Sequence, residues 1–152
     1  MTNPPGDLAV LETPLAQTLL TSTNPARLSY VARNGTPRVV PIWFHWNGSQ
    51  LVFGTSPGSP KLAAIAANPA LAVTIDTIVW PYQALMIRGR GELEVVTGIV
   101  PEYALSAERY FGAENGRAWI EQISPRYSEM VRLMLTPNWA WLLDYAEQPE
   151  PR

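Results

Sequence analysis

From residue 26 onward the chain alternates apolar and polar positions in short runs, the period of half-buried β-strands. "ARLSYVAR" (26–33), "RVVPIWFHW" (38–46) and "QLVFGT" (50–55) are the first three runs. Asn34-Gly35 and Asn47-Gly48 separate them, and Asn-Gly between two such runs is the strongest short-range hairpin signal. The pattern predicts strands near 26–33, 37–46 and 50–55, joined as an antiparallel meander. Pro41 cannot donate to a ladder, so it marks an edge or a bulge. Further strands are read at "LAVTID" (71–76) and "ALMIRGRGELEVV" (84–96), where Gly89 and Gly91 predict a bend. "MVRLMLT" and "NWAWLLDY" read as closing strands on either side of Pro137.

Helical signals lie between these runs. Residues 11–21 predict a short helix with Pro14 in its first turn. "KLAAIAANP" (61–69) is a helix that Asn68-Pro69 stops. "VPEYALSAERYFG" (100–112) has Pro101 near its start and Gly112 at its end, and "AWIEQIS" continues as helix. Residues 1–10 and 147–152 read as loose tails. The whole, residues 1–152, is expected to be one mainly β (α+β) domain: a small closed or nearly closed antiparallel barrel with peripheral helices.

The stretch "GTSPGSPK" (54–61) joins the third strand to a helix and ends on Lys61, the only lysine in the chain. Unpaired N–H groups and the positive end of the dipole collect at a helix start, which makes a ready anion site. Thr55, Ser56 and Ser59 add hydroxyls, and Gly54 and Gly58 would let the backbone approach a ligand. The other reading is an ordinary turn in which Ser59 caps the helix, Pro60 takes its first position and Lys61 is solvated. The spacing of a nucleotide-binding Walker loop is absent.

Composition narrows the classes. The 152 residues are 47% apolar and 16% charged, which is globular and enough for one core. The net charge of −2, without any basic block, argues against nucleic acid as a partner. With no cysteine and one histidine, His45, neither a thiol nucleophile nor a metal site is expected. The N-terminus lacks the charge and apolar run of a signal peptide, and no run is long enough to span a bilayer. A cytoplasmic protein without membrane contact is the expectation.

Taken in order, the hairpin glycine, "TPRVVPIWFHW", the "NG" turn, a strand ending in Thr55, the Ser-rich turn, Lys61 at a helix start and the "NP" stop form one motif set. It resembles the pyridoxamine 5′-phosphate oxidase-like, flavin-binding split-barrel superfamily. "IRGRGELEVV" is similar to that superfamily's long bent strand. The resemblance covers residues 26–96 well and 97–145 loosely. It implies a six-stranded antiparallel split β-barrel that forms a homodimer with FMN at the interface. Carried over residue by residue, Arg38, Val39, Val40, Pro41, Ile42 and Trp43 would line the isoalloxazine ring. Thr55, Ser56, Ser59 and Lys61 would hold the phosphate. Two positions depart from the family pattern. Trp43 stands where a lysine usually ends the ring-lining strand, and Pro60 stands where an arginine often precedes the phosphate lysine.

The implied activity is that of an FMN-dependent oxidoreductase on a small substrate, with no catalytic residue assigned on the protein. The alternative cofactor is the deazaflavin F420, whose acidic tail would favour a basic groove such as Arg27, Arg33 and Arg38 could provide. A non-enzymatic dimeric module binding flavin or haem is the third reading. His45, beside Trp43, Phe44 and Trp46, reads as a half-buried histidine bonded to backbone rather than a haem ligand. Arg88 and Arg90 share a strand face, as do Trp139 and Trp141. Tyr103, Tyr110 and Tyr127 lie in the segment expected to cover a substrate pocket.

Overall fold

The computed structural model describes residues 3–147; residues 148–152 of the expected C-terminal tail, and residues 1–2, lie outside the described residues. The strands are β1 (Ala26–Val31), β2 (Pro37–Ile42), β3 (His45–Trp46), β4 (Leu51–Thr55), β5 (Ala70–Asp76), β6 (Gln83–Thr97) and β7 (Glu129–Asp144). The helices are α1 (Pro14–Leu20), α2 (Pro60–Ala67), α3 (Pro101–Phe111) and α4 (Ala113–Ile123). All pairings are antiparallel, in the order β2-β1-β5-β6-β7-β4-β3. This is the antiparallel split barrel with peripheral helices that the resemblance implies, with seven strands where the resemblance implies six.

The extra strand comes from a break in the run 37–46. β1 and β2 form the first hairpin, with Leu28 opposite Val40, and β3 and β4 form the second, with His45 opposite Val52. The chain leaves one edge of the sheet at Ile42 and joins the other edge at His45, so the expected three-strand meander is split into two hairpins. Both Asn-Gly turns form as read. The carboxamide oxygens of Asn34 and Asn47 accept from the backbone N–H of Thr36 and Ser49, and Gly35 and Gly48 take the positive φ that such turns need. Pro41 lies on an edge strand, where its missing donor costs nothing.

The expected pair of closing strands is instead one strand, β7. It crosses Pro137 because the register shifts there: Gly89 is opposite Pro137 while Arg88 is opposite Trp139, leaving Asn138 as the bulged residue. Gly89 is required at this point, since a Cβ would come within 2.1 Å of the Thr136 carbonyl oxygen. The bulge bends β6 and β7 so that the sheet curls around its apolar face. Leu28, Phe44, Leu51, Phe53, Ile75, Leu85, Ile87, Leu133 and Leu135 fill the interior, and Ala16, Leu19 and Leu20 of α1 join this core. Residues 3–10, expected to be loose, are attached: the N–H of Gly6 donates to the Ala140 carbonyl at 2.9 Å, and Asp7 caps a short 3₁₀ turn at Leu8–Glu12. No helix among the described residues is long and apolar enough to cross a membrane.

Candidate functional site

Strand β4 alternates its side chains between the barrel interior and α3. Leu51, Phe53 and Thr55 face inward and are buried. Gly54 faces α3, where a Cβ would stand 2.7 Å from the Cβ of Tyr103. Gly54 is therefore a packing glycine that lets α3 approach, and not the ligand-facing residue expected from the sequence. A Cβ on Gly58 would meet nothing within 4 Å.

Thr55 ends β4 with its hydroxyl turned toward the start of α2. There the Lys61 ammonium donates to Thr55 Oγ1 at 2.8 Å and to Ser59 Oγ at 2.8 Å. Ser59 occupies the cap position of α2, but its side chain makes no capping hydrogen bond. The hydroxyl is taken by Lys61 instead, so the ordinary-turn reading, with Ser59 as the cap and Lys61 in solvent, does not hold. An ammonium has three donors, and two are used here. Among the described residues no carboxylate lies within 4.0 Å of Lys61. Burial pushes its pKa below the ordinary lysine value. Ser56 sits in the same turn, its carbonyl accepting from the Ser59 N–H at 3.1 Å. The arrangement is a half-buried cation held by neutral oxygens beside a helix N-terminus, which is chemistry suited to an anion.

The six residues expected to line a ring are divided by the pleat of β2. Val40 and Ile42 pack against the core. Val39 and Pro41 point outward and are exposed. Arg38 is exposed at the strand start and donates from Nε to Thr36 Oγ1 at 3.2 Å. Trp43 belongs to the corner between β2 and β3, where it stacks on Tyr110 (centroids 5.1 Å, 13°) and meets Phe111 edge-on at 4.9 Å. Tyr103 and Tyr110 are thus part of an aromatic cluster under the corner, and Tyr103 also accepts from Trp119 Nε1 at 3.2 Å.

Arg109, which the sequence reading passes over, holds that corner. Its guanidinium donates to the carbonyl of Phe44 and, at 2.9 Å, to that of Ser22, while Ser106 Oγ donates to the same Phe44 carbonyl at 3.0 Å. His45 follows directly. Burial, and then the nearby Arg109 guanidinium, pull its imidazole below the ordinary value. Arg27 is paired with Asp76 at 2.8 Å, so only Arg33 and Arg38 of the expected basic groove are without a carboxylate partner among the described residues. Arg88 lies 3.9 Å over the Trp139 ring.

The comparisons with known proteins agree with this architecture. The family model for pyridoxamine 5′-phosphate oxidase matches residues 13–143, and the chain belongs to that family. No curated protein sequence matches the chain. Among solved structures, an F420 reductase is similar at 26% identity with a TM-score of 0.62, covering 82% of this chain and 94% of that one. A conserved hypothetical protein of Mycobacterium tuberculosis is 13% identical with a TM-score of 0.68, covering 100% of this chain and 96% of that one. General Stress Protein 26 of Bacillus anthracis is 17% identical with a TM-score of 0.61, covering 84% and 89%. The last two show the shared fold.

Proposed function

We propose that this chain is an oxidoreductase that holds the phosphate of a flavin-type cofactor with Lys61, Thr55 and Ser59. The observation that carries the reading is the Lys61 ammonium, which two hydroxyl oxygens hold without a carboxylate among the described residues. A half-buried charge without a counter-charge is costly, and a phosphate would supply the missing charge and accept the third N–H. Ser56 lies in the same turn and would add a hydroxyl. Membership of the pyridoxamine 5′-phosphate oxidase family supports the same reading. The bound ring system would supply the redox chemistry, while the barrel binds it, orients it and excludes water. The ring would lie along β2, where Val39 and Pro41 face outward and Arg38 is exposed. Trp43 would act through the corner it packs, because α3 already covers its ring.

FMN meets the minimal requirement of such a cradle. F420 is the second reading, favoured by the 26% identity to an F420 reductase over most of both chains. An absorbance spectrum of the freshly purified protein, followed by titration with FMN, riboflavin and F420, tests both. Tight binding of FMN with weak binding of riboflavin supports the first reading. Binding of F420 but not FMN keeps the cradle and changes the cofactor. Binding of neither overturns the proposal.

A further inference from the structure

The far part of β7 has a free edge. The strand pairs with β4 only as far as Leu135, and beyond Pro137 only β6 runs beside it. The ladder fixes which backbone groups turn to that edge. Gln83 turns both its N–H and its C=O to Thr77, on the β5 side. Leu85 and Ile87, at steps of two, turn theirs the same way. Their partners on β7, Leu142 and Ala140, therefore turn N–H and C=O away from β6. The Ala140 carbonyl accepts from the Gly6 N–H at 2.9 Å. The segment before Gly6 cannot continue this pairing, because Pro4 and Pro5 have no N–H. The Leu142 carbonyl is thus left without a donor among the described residues.

A cleft of about 680 Å³ opens at this edge, within the range of roughly 300–1,000 Å³ usual for small-molecule sites. Pro4, Pro5, Val10, Leu15 and Trp141 give it mostly apolar walls. Its two charged lining residues, Asp144 and Glu147, are both acidic, and among the described residues neither has a basic partner within 4.0 Å. Asp144 Oδ1 accepts from Gln83 Nε2 at 3.2 Å and from the Ala146 N–H at 3.0 Å. Those bonds hold the carboxylate in place, and its Oδ2 has no donor among the described residues. Charge complementarity therefore calls for a cation. A primary ammonium has three N–H donors and would serve both Asp144 Oδ2 and the Leu142 carbonyl. The Trp141 ring and its aliphatic neighbours would take an apolar body. The cleft is apart from the phosphate cradle, since Thr55 is opposite Val131 near the start of β7 and Asp144 ends that strand.

We propose that this cleft binds a small primary amine with an apolar body, its ammonium at Asp144 and its apolar part against Trp141, Val10 and Leu15. NMR titration of the isotope-labelled chain with phenethylamine, phenethyl alcohol and phenylpropionate tests this. Phenethylamine is expected to bind with a Kd of about 1 mM or tighter, as suits a ligand of its size. It should shift the indole N–H signal of Trp141, identified by its loss in Trp141→Phe. The alcohol should bind at least about five-fold more weakly, and the carboxylate more weakly still. Asp144→Asn keeps an oxygen for Gln83 and Ala146 but loses the charge, so it should weaken the amine about five-fold or more and leave the alcohol unchanged. Circular dichroism establishes that Asp144→Asn is folded, and Glu147→Gln, at an exposed position, serves if it is not, with an expected loss of about two-fold or more. A smaller preference for the amine over the alcohol overturns the proposal. So do amine-induced shifts that spare Trp141, or a folded Asp144→Asn that binds the amine as the wild type does. An alternating Lys-Val peptide that binds more than about ten-fold more tightly than phenethylamine overturns it in favour of strand addition along β7. Lys61→Ala should leave amine binding intact, so failure of the cofactor reading and failure of this one are told apart.

Discussion

The hydroxyl of Ser59 accepts a hydrogen bond from the Lys61 ammonium at 2.8 Å, although Ser59 stands at the cap of α2 where a serine ordinarily accepts from the backbone. The helix start forgoes its side-chain cap, and the hydroxyl orients the cation instead. Removing the hydroxyl should therefore affect ligand binding more than stability. Ser59→Ala is expected to cost under about 0.5 kcal/mol in urea unfolding, less than the roughly 1 kcal/mol usual for a lost cap. Thr13 is the internal comparison, because it does cap α1, accepting from the Ala16 N–H at 3.4 Å and donating to the Val10 carbonyl at 2.6 Å. Thr13→Ala should cost about 1 kcal/mol or more.

Lys61→Ala should weaken FMN binding about ten-fold or more, since a charge-assisted hydrogen bond contributes roughly 1.5–3 kcal/mol and 1.4 kcal/mol is a factor of ten. Riboflavin, which has no phosphate, should lose little. Fluorescence titration of the two ligands makes the comparison. An equal loss for both would point to a folding defect and away from the cradle.

The pH dependence follows from the burial of Lys61, which places its pKa below the ordinary value of 10.5. Phosphate binding needs the protonated amine, so affinity should be level at neutral pH and fall as pH rises through the lowered Lys61 value. Stability moves the other way. Between the folded and unfolded values the unfolded chain binds more protons, so the penalty for the buried charge is relieved as pH rises through that window. Titrations from neutral to alkaline pH should show the fall in affinity for the wild-type chain and not for Lys61→Ala.

Gly54→Ala would place a Cβ 2.7 Å from the Tyr103 Cβ, backed by a helix that cannot withdraw without disturbing the Trp43 corner. Overpacking of this kind typically costs about 1–3 kcal/mol. Tyr103→Ala keeps the clashing Cβ and removes only the 3.2 Å contacts to Cγ and Cδ2, so in the same chain it should recover little of the loss, and a double-mutant cycle from urea midpoints measures the coupling.

Arg109→Leu removes the donors that hold the Phe44 and Ser22 carbonyls, leaving the former to Ser106 alone. Hydrogen bonds from a charged donor are worth roughly 1.5–3 kcal/mol each, so a loss of about 2–4 kcal/mol is expected. Thermal unfolding should shift down by roughly 5–15 °C for a chain of this size. A lysine at this position cannot serve both carbonyls from one planar group, so Arg109→Lys should restore only part of the stability.

Much of the fold was legible because its signals are local. Asn34 and Asn47 close their turns with contacts two residues away, Pro14 lies in the first turn of α1, and Pro41 marks the edge strand on which it lies. The convergence of Thr55, Ser59 and Lys61 was equally readable, since six residues of strand and turn bring all three together.

What the sequence by itself determined is the segments that become β1, β4, β5 and β6, the two Asn-Gly turns and the convergence of Thr55, Ser59 and Lys61, all of which depend on neighbours within one turn or one ladder step. Only the tertiary structure decided that the run 37–46 breaks at Trp43-Phe44, because the groups that hold the break, Ser106 and Arg109, come from 62 and 65 residues away. It likewise decided that β7 passes Pro137 as one strand, because the bulge opposite Gly89 exists only once β6 is paired with it. Propensity and periodicity are properties of a few consecutive residues. The closing of a sheet on itself depends on which distant groups satisfy the carbonyls at its corner, and that is set only when the whole barrel has assembled.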